Sequence, residues 1–372
     1  METKDISITV ETLRNWLDEA KAVMILDVRP KEQREEWFIP KSVHYDVYDK
    51  LKQHHPNTFY GIDLPKNIPI VTVCAAGKTS EIAAELLEKK GHEVYSLEGG
   101  MKAWTLSWNT AKLKDGDLNI IQIRRTGKGC LSYMVASGSE VIVIDASVDI
   151  DVYRNIAREH GWEIKYVLDT HIHADHLSRS PELARNTGAK IFMPDQEMVK
   201  FKFKKIMDGD ILQFGSSKLE AIHTPGHTLD STTYFLNKKY LFTGDTLFID
   251  GVGRPDLKAD EDQARKRSSM LYDSLHKLSQ LSEGSIVFPG HISRPVPFDK
   301  QIISSSIAEI KRNVNSLKLK KEDFIKNILS KIPPTPPNYL TVTEINLSGD
   351  IKNIDPKEIE AGANRCAIHR TP

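Results

Sequence analysis

The chain has 372 residues, and this length favours two domains over a single core. Charged residues make up 27% of the chain and balance to a formal net charge of zero, which argues against a nucleic-acid or membrane-surface partner. No apolar run approaches the roughly 20 residues that span a bilayer, and the opening METKDISITV lacks the apolar core of a signal peptide. Three cysteines are too few and too scattered for a disulfide framework, so we expect a reduced, cytoplasmic protein.

The first part of the chain alternates short apolar runs with amphipathic segments. VMILDV (23–28), PIVTVCA (69–75) and VYSLEGG (94–100) have the composition of buried strands. TSEIAAELLEKKG (79–91) has the apolar spacing of a helix that ends at a glycine. Strand–helix alternation of this kind predicts a parallel sheet covered by helices. We therefore predict a small doubly wound α/β domain over residues 1–110.

The polar segment WNTAKLKDGDLN (108–119) has no strong period and predicts the boundary between two domains. Beyond it, NIIQI, CLSYMVAS and EVIVIDAS predict successive strands without intervening helices. Later strands end in His and Asp, and several strand ends that deliver such residues to one sheet rim are typical of an αββα sandwich. We assign this sandwich to residues 111–372, with a core of about 118–300 and a C-terminal extension over 301–372. The extension contains a predicted helix within 320–340, closed by a proline-rich turn.

Cys74 stands at the end of a predicted strand, where CAAGKTS (74–80) leads through a small loop into a helix. Backbone N–H groups of such a loop, backed by the helix N-terminus, can form an anion cradle and favour a reactive thiolate. A thiolate there can attack a sulfur atom and hold a persulfide, whose charge the N–H groups stabilise. A buried core cysteine is the alternative interpretation. The cradle would consist of Ala75, Ala76, Gly77, Lys78, Thr79 and Ser80.

The same region resembles the rhodanese family. The matching pieces occur in the family's order across nearly the whole domain: LDVRP (26–30), FIPKSVHY (38–45), CAAGKTS (74–80) and LEGGMKAW (97–104). The resemblance implies a sulfurtransferase with Cys74 as its catalytic nucleophile. Thiosulfate-cleaving members usually carry an arginine after the cysteine, and here that position is Ala75, so thiosulfate is not implied as the donor. We expect Asp27 and Arg29 to brace the end of the sheet.

THIHADH (170–176) packs three histidines and one aspartate into seven positions at the end of a predicted strand. Imidazole and carboxylate groups together suit Zn, Fe or Mn, and none of these ligand positions is a cysteine. One strand-end histidine is usually only a hydrogen-bonded polar residue, but ligand types at four strand ends predict a metal site. His223, on the strand that leads to His227, we interpret as structural or as supporting a ligand. The predicted site residues are His171, His173, Asp175, His176, His227, Asp245 and His291.

Together with HTPGHT, FTGD and PGH, this motif resembles the metallo-β-lactamase superfamily over about residues 118–300. One branch of the superfamily is the glyoxalase II type, a thioester hydrolase in which a metal-bound hydroxide attacks the acyl carbon. That branch implies a first metal held by His171, His173 and His227. It implies a second metal held by Asp175, His176 and His291, with Asp245 bridging the two.

A second branch is the persulfide dioxygenase type, similar to the ethylmalonic encephalopathy protein. It holds a single Fe(II) through two histidines and one carboxylate, and the resemblance carries these roles to His171, His227 and Asp245. Such a triad leaves open positions for a substrate sulfur and for O₂. The remaining residues would orient the ligands and water: His173, Asp175, His176 and His291.

Three features favour the dioxygenase type. GVGRPDL (251–257) matches the family's G-R-P-D segment, which implies that Arg254 helps to bind glutathione, since a guanidinium suits a carboxylate; a surface arginine is the alternative. AGANRCAI (361–368) resembles the family's closing A-N-x-R-C segment, and we expect Cys366 to pack rather than react. The rhodanese partner handles sulfane sulfur, which fits persulfide chemistry. VFPGHISRPVPFD (287–299) departs from the family's H-D-Y-H stretch, so we expect a reshaped substrate pocket.

We therefore predict a fusion of a rhodanese with a persulfide dioxygenase that holds one Fe(II) per chain. It would oxidise glutathione persulfide, or another low-molecular-weight persulfide, with O₂ to sulfite and thiol. Cys74 would pass sulfane sulfur between donor and acceptor, either to supply the iron site or to make thiosulfate from sulfite. The alternatives are a dinuclear zinc (two Zn) thioester hydrolase with an attached sulfurtransferase, and a sulfide or redox sensor that reports through Cys74. Related dioxygenases are often dimers, so a homodimer is also expected.

Overall fold

The computed structural model describes residues 6–195, 198–362 and 364–369. The strands of its N-terminal part are β1 (Ser7–Ile8), β2 (Met24–Asp27), β3 (Val43–His44), β4 (Ile70–Val73) and β5 (Val94–Leu97). The helices are α1 (Val10–Asp18), α2 (Lys31–Glu36), α3 (Tyr48–Lys52), α4 (Lys78–Glu88) and α5 (Gly100–Trp104). The strands form one parallel sheet in the order β1-β5-β4-β2-β3.

Two apolar clusters lie on opposite faces of this sheet, because successive residues of a strand point to opposite sides. Ile70 of β4 belongs to one cluster, together with Leu87 of α4. Its neighbour Val71 belongs to the other, together with Leu13 of α1 and Trp104 of α5. A parallel sheet covered by helices on both faces is the doubly wound domain that the sequence predicts, and this prediction is confirmed.

The second part of the chain contains two larger sheets. The first sheet has the strands β6 (Asn109–Asp115), β7 (Leu118–Arg124), β8 (Leu131–Ser137), β9 (Glu140–Ile144), β10 (Glu163–Leu168), β11 (Lys190–Pro194) and β12 (Lys204–Ile206) in reverse chain order. The remaining strands are β13 (Ile211–Phe214), β14 (Ser217–His223), β15 (Thr232–Leu236), β16 (Tyr240–Gly244), β17 (Gly251–Gly253), β18 (Ile286–Pro289), β19 (Ser305–Ser306) and β20 (Ala367–His369). The second sheet has the order β13-β14-β15-β16-β18-β19, while β17 pairs with β20.

Helices cover the outer face of each sheet. The helices of this part of the chain are α6 (Ile150–His160), α7 (Ser180–Thr187), α8 (Glu261–Ser279), α9 (Ile307–Asn313), α10 (Lys321–Leu329), α11 (Tyr339–Ser348) and α12 (Pro356–Ile359), of which α12 lies against α5 instead. Among the described residues, no helix is both long enough and apolar enough to cross a bilayer. The helix predicted within 320–340 is α10, and it packs against α8.

The main core lies between the two sheets. Tyr133 of β8 points inward, and its ring centroid lies 4.9 Å from that of Phe242 on β16. Met134 points to the opposite face and packs with residues of α6 and α7. On the outer face of the second sheet, Phe235 of β15 packs with residues of α8 and α10. The resulting order of helix, sheet, sheet and helix confirms the predicted αββα sandwich.

The polar segment 108–119, where we predict the boundary between the two domains, is largely a β-strand. Residues 109–115 form β6, the edge strand of the first sheet, and pair with β7 along their whole length. Lys112 and Lys114 of β6 are exposed, whereas Ala111 of the same strand is buried against the core. Charged residues are common on edge strands because they discourage pairing with other chains, and here they mask the alternating pattern.

The C-terminal strap, residues 356–369 without residue 363, contacts both domains. Its strand β20 pairs antiparallel with β17. Lys102 of α5 forms an ion pair of 2.5 Å with Glu358. Glu360 is buried and forms an ion pair with Arg125 of the second domain, which is buried as well. The strap therefore fastens the N-terminal domain to the sandwich beside the strand ends that carry the predicted ligands.

Candidate metal centre and sulfur loop

Four strand ends deliver the predicted ligands to one buried rim of the sandwich. The loop after β10 carries four of them, and the turns after β14, β16 and β18 carry one each. All seven are at most 5% exposed. The structure brings together every residue of the predicted set: His171, His173, Asp175, His176, His227, Asp245 and His291.

Three of these residues form an open triad. Oδ2 of Asp245 lies 3.9 Å from Nε2 of His171 and 3.6 Å from Nε2 of His227. The three ligating atoms all lie within 4.8 Å of one another. Nε2 of His171 and Oδ2 of Asp245 are buried without a hydrogen-bond partner among the described residues. Because buried polar atoms are nearly always partnered, these orphaned atoms fit a metal ion that all three residues would hold.

The hydrogen bonds behind the triad set the tautomer of both histidines. Nδ1 of His227 lies 2.8 Å from the carbonyl oxygen of Arg254, so this nitrogen must donate. Nδ1 of His171 lies 2.9 Å from the hydroxyl of Thr170, whose own proton goes to Asp145 at 2.9 Å. Both Nε2 atoms therefore carry the lone pair that a metal needs.

Burial keeps the two triad imidazoles neutral. It lowers the pKa of His171 well below its ordinary value, and the neighbouring His173 lowers it further. Burial also lowers the pKa of His227, although Asp245 opposes this shift. Neutral imidazole is the form that binds metal ions, so the electrostatics of the triad favour ligation near neutral pH.

The second oxygen of Asp245 is already engaged. Its Oδ1 lies 2.5 Å from Nδ1 of His291, and Nε2 of His291 lies 2.8 Å from Oδ2 of Asp175. Burial opposes a charged imidazole, but the Asp245 and Asp175 carboxylates outweigh it and raise the pKa of His291 well above its usual range. Gly290 makes this approach feasible, since a Cβ there would lie only 2.5 Å from Oδ1 of Asp245.

A second cluster lies beside the triad. Nδ1 of His176 is 3.1 Å from Oδ1 of Asp175, and Asn364 of the C-terminal strap donates to Oδ2 of Asp175 at 2.7 Å. Burial opposes the charge on His176, but Asp175 outweighs it and raises the pKa of His176 to about 10. Nε2 of His173 is directed at Asp145 instead of the triad and lies 3.1 Å from its Oδ1.

Two cysteines lie beside these residues, although none of the predicted ligand positions is itself a cysteine. The Sγ of Cys130 donates to Oδ2 of Asp175 at 3.4 Å, and ligand atoms of Cys366, Asp245 and His291 all lie within 4.8 Å of one another. Burial raises the pKa of Cys366 well above its ordinary value, and Asp175 raises it further. Burial also opposes the Cys130 thiolate, but the nearby histidines, first His176, bring its pKa below the ordinary value.

Two other residues singled out by the sequence lie outside the cluster. His223 is exposed, and its Nε2 bonds to the carbonyl oxygen of Leu229 at 2.9 Å, which fits the structural interpretation. Arg254 is fully buried, and its guanidinium donates to both oxygens of Asp256 at 2.8 and 2.7 Å. It also donates to two carbonyl oxygens, including that of Arg365 at 3.2 Å. The substrate-binding role of Arg254 stays a prediction, and in this conformation the guanidinium holds protein groups together.

The sulfur loop, residues 74–80, lies at the end of β4 in the N-terminal domain. Cys74 is only 2% exposed, and the backbone N–H of Gly77 donates to its Sγ at 3.2 Å. The hydroxyl of Ser80 lies 3.4 Å from the same sulfur. Gly77 has a φ of +94°, which favours glycine. Of the other predicted cradle residues, Thr79 is buried. The exposed ones are Ala75, Ala76 and Lys78.

The αββα sandwich with histidine and aspartate at its strand ends defines a metal-binding class of protein. Residues 125–291 match the family model of the metallo-beta-lactamase superfamily, and residues 9–107 match that of the rhodanese-like domain. The chain belongs to the metallo-beta-lactamase superfamily and carries a rhodanese-like domain ahead of the sandwich.

Two proteins that are similar to this chain in sequence are hydroxyacylglutathione hydrolases. The chain is 33% identical to that of Rhodospirillum rubrum over 184 residues. These residues make up 49% of this chain and 64% of the relative, just under two thirds of the relative's length. The chain is 30% identical over 182 residues to the protein of Rhizobium johnstonii, which is 48% of this chain and 67% of that protein.

Two solved structures are similar to the sandwich. ETHE1 from Myxococcus xanthus has a TM-score of 0.53 and 26% identity, over 64% of this chain and 98% of that chain. A metallo-beta-lactamase from Staphylococcus aureus has a TM-score of 0.57 and 23% identity, over 63% of this chain and 74% of that chain. The second likeness concerns the fold alone.

Proposed function

We propose that this protein is a persulfide dioxygenase with one Fe(II) per chain, coupled to a rhodanese that transfers sulfane sulfur through Cys74. The overall reaction would be R–S–SH + O₂ + H₂O → R–SH + HSO₃⁻ + H⁺, with glutathione persulfide as the preferred substrate. The observation that carries this proposal is the open triad of His171, His227 and Asp245. Fe(II) bound to such a triad supplies open positions for a sulfur and for O₂ and donates the electron density that activates O₂.

His291 connects Asp245 to a second carboxylate behind the triad. Its Nδ1 lies 2.5 Å from Oδ1 of Asp245. Its Nε2 lies 2.8 Å from Oδ2 of Asp175. In this arrangement His291 keeps one carboxylate oxygen directed at the triad and holds a proton between two acids.

The residues around the triad would do the rest. Nδ1 of His171 is held by Thr170 and Nδ1 of His227 by the carbonyl oxygen of Arg254, so both imidazoles keep Nε2 directed at the triad. Phe248 lies with its ring centroid 6.4 Å from that of His291 and gives the centre an apolar wall. An apolar wall excludes water and so protects a reactive sulfur species from side reactions.

The N-terminal domain would carry out the sulfur transfer. The thiolate of Cys74 attacks the terminal sulfur of a sulfane donor R–S–SH, a new S–S bond forms at Sγ, and the donor thiolate leaves with the electron pair of the broken S–S bond. The N–H of Gly77 and the hydroxyl of Ser80 are placed to stabilise the charge on the sulfur. No oxidant is needed, because the sulfane sulfur only changes its carrier.

The structural similarity to ETHE1, a representative of the persulfide dioxygenase type, supports this proposal. The relatives that are hydroxyacylglutathione hydrolases support a glutathione-related substrate.

The same relatives favour a second candidate, a dinuclear zinc thioester hydrolase. Nδ1 of His173 and Nε2 of His176 are buried without a hydrogen-bond partner among the described residues, so both could serve as further ligands.

Metal analysis paired with oxygen uptake separates the two candidates. We expect about one iron per chain, and O₂ uptake with glutathione persulfide, in protein purified anaerobically. About two zinc ions per chain, with hydrolysis of lactoylglutathione and no O₂ uptake, would support the hydrolase instead. Asp245→Asn serves as the negative control, because it removes the carboxylate that both candidates require.

A further inference from the structure

Two cavities lie side by side where the domains meet. The first, about 310 Å³, reaches the sulfur loop at Ala75 and Ala76. The second, about 140 Å³, reaches the metal centre at Asp175. Three residues line both cavities, namely Glu36, Ala361 and Gly362. The cavities are therefore neighbours that share one wall, and this wall belongs to α2 and the C-terminal strap.

The distance along this wall is short. Ala361 faces both cavities, and Asn364 donates to Oδ2 of Asp175 at 2.7 Å. Three residues of chain span at most roughly 11 Å, so the shared wall lies within that distance of the residue that touches Asp175. At the other end, the N–H of Met101, which lines the first cavity, donates to the carbonyl oxygen of Cys74 at 2.8 Å.

The second cavity is lined by two cations, Lys128 and Arg365, and by two carboxylates, Glu36 and Asp175. Lys128 is 5% exposed, and its ammonium donates to the carbonyl oxygens of Glu360 and Gly362 at 2.8 and 3.2 Å. Among the described residues no carboxylate lies within 4.0 Å of this ammonium, so one N–H remains for a ligand. Arg365 lines the same cavity and reaches Glu36 at 3.4 Å. A buried ammonium without a counter-charge favours a ligand that brings a carboxylate.

We propose that the two cavities form one interdomain groove, which holds a small thiol with carboxylate groups and lets it carry sulfur from Cys74 to the metal centre without release. This inference rests on the proposed function. In the groove the carrier thiolate attacks the terminal sulfur of the Cys74 persulfide, R–S⁻ + Cys74–S–SH → R–S–SH + Cys74–S⁻. One S–S bond forms at the carrier, one breaks at Sγ, and Cys74 leaves with the electron pair. Lys128 anchors a carboxylate of the carrier while its sulfur moves.

The first test is binding of glutathione to the full-length, metal-free protein, measured by calorimetry. Lys128→Met removes the anchoring ammonium, and we expect binding at least about tenfold weaker than in the wild type. Lys357→Met is the matched control, since Lys357 is exposed on α12 and lines neither cavity. Equal affinities in the wild type and Lys128→Met would overturn the proposal that Lys128 anchors the carrier.

The second test follows sulfur from one site to the other. Full-length protein with iron and with a persulfide on Cys74, verified by intact mass, receives about one equivalent of glutathione and a large polymeric maleimide that traps released thiols. We expect the wild type and Lys357→Trp to form sulfite despite the trap, because the carrier stays inside. Ala361→Trp places a large side chain at the wall that both cavities share and so blocks passage between them. The sulfite yield of this variant should fall when the trap is present. A wild-type yield that the trap abolishes would overturn the groove.

The two tests separate this inference from the proposed function. If glutathione binding depends on Lys128 but supplied glutathione persulfide gives no O₂ uptake, the groove stands as a binding site and the dioxygenase proposal fails. If O₂ uptake occurs but the trap removes all sulfite formed from the Cys74 persulfide, the dioxygenase stands and the carrier leaves the protein between the two steps.

Discussion

Thr170 links a buried carboxylate to a predicted metal ligand, and its hydroxyl can be tested alone. It donates to Asp145 at 2.9 Å and lies 2.9 Å from Nδ1 of His171. Thr170→Val replaces the hydroxyl by a methyl group of the same shape. The backbone N–H of Thr170 still donates to Asp145 at 2.7 Å, so we expect the loop to keep its conformation.

The magnitude follows from the bonds that are lost. Nδ1 of His171 becomes a buried donor without an acceptor, which costs about 1–3 kcal/mol. Its imidazole is then free to turn or to change tautomer, and removal of such a supporting bond typically weakens metal binding by about 10–100-fold. That loss corresponds to about 1.4–2.7 kcal/mol of metal-binding free energy.

An anaerobic titration of the metal-free protein with Fe(II), in competition with a chromophoric chelator, measures this loss. Thr72→Val is the matched control, because Thr72 is buried in the N-terminal domain and donates to the carbonyl oxygen of Ser80 at 2.7 Å. We expect this control to lose stability but to bind Fe(II) like the wild type. The reasoning is refuted if Thr170→Val keeps the wild-type Kd, or if both variants weaken Fe(II) equally.

Three further predictions concern the sulfur loop and two buried ion pairs. Cys74→Ala should abolish sulfur transfer while O₂ uptake with supplied glutathione persulfide continues; loss of both activities would contradict the division of labour. Glu360→Gln leaves Arg125 buried without its counter-charge, so we expect the free energy of unfolding in urea to fall by about 3–5 kcal/mol, and an unchanged midpoint would speak against this role. Asp27→Asn should cost a similar amount at pH 7, because Asp27 pairs with buried Arg29 at 2.7 Å. Burial opposes the carboxylate, but Arg29 outweighs it and lowers the pKa of Asp27. The stabilisation is therefore present above the unfolded pKa of about 3.9 and lost as the pH falls through the lower folded pKa, so the gap between wild type and variant, followed by urea unfolding at several pH values, should close only in acid.

The triad could be predicted from the sequence because its signals are local. His171, His227 and Asp245 each follow an apolar strand within a few residues, and His227 follows a Pro-Gly turn. The carboxyl ends of neighbouring strands meet at one rim of a sheet, so the ligands had to lie close together. The same local reasoning found the strand, loop and helix around Cys74.

The cysteines of the metal centre could not be predicted in this way. Cys130 precedes β8, and its backbone pairs with that of His291, which is far away along the chain. Cys366 arrives only because β20 pairs with β17. Neither contact leaves a pattern near the cysteine, since both depend on which distant strands pair.

Arg254 illustrates a different limit of sequence reasoning. A motif indicates which residue type is required but not which groups it contacts. The guanidinium of Arg254 contacts Asp256, which belongs to the motif itself, and the carbonyl oxygens of Pro334 and Arg365, which lie far along the chain and do not follow from the motif.

The position of the C-terminal strap has a consequence for the order of folding. Asn364 touches Asp175 across 189 positions of chain, and Glu360 touches Arg125 across 235. Contacts of such long range close late, because the entropy of the intervening loop must be overcome first. A newly made chain therefore cannot offer a finished metal pocket until the C-terminal strap has docked, and metal retention would serve as a reporter of completed folding.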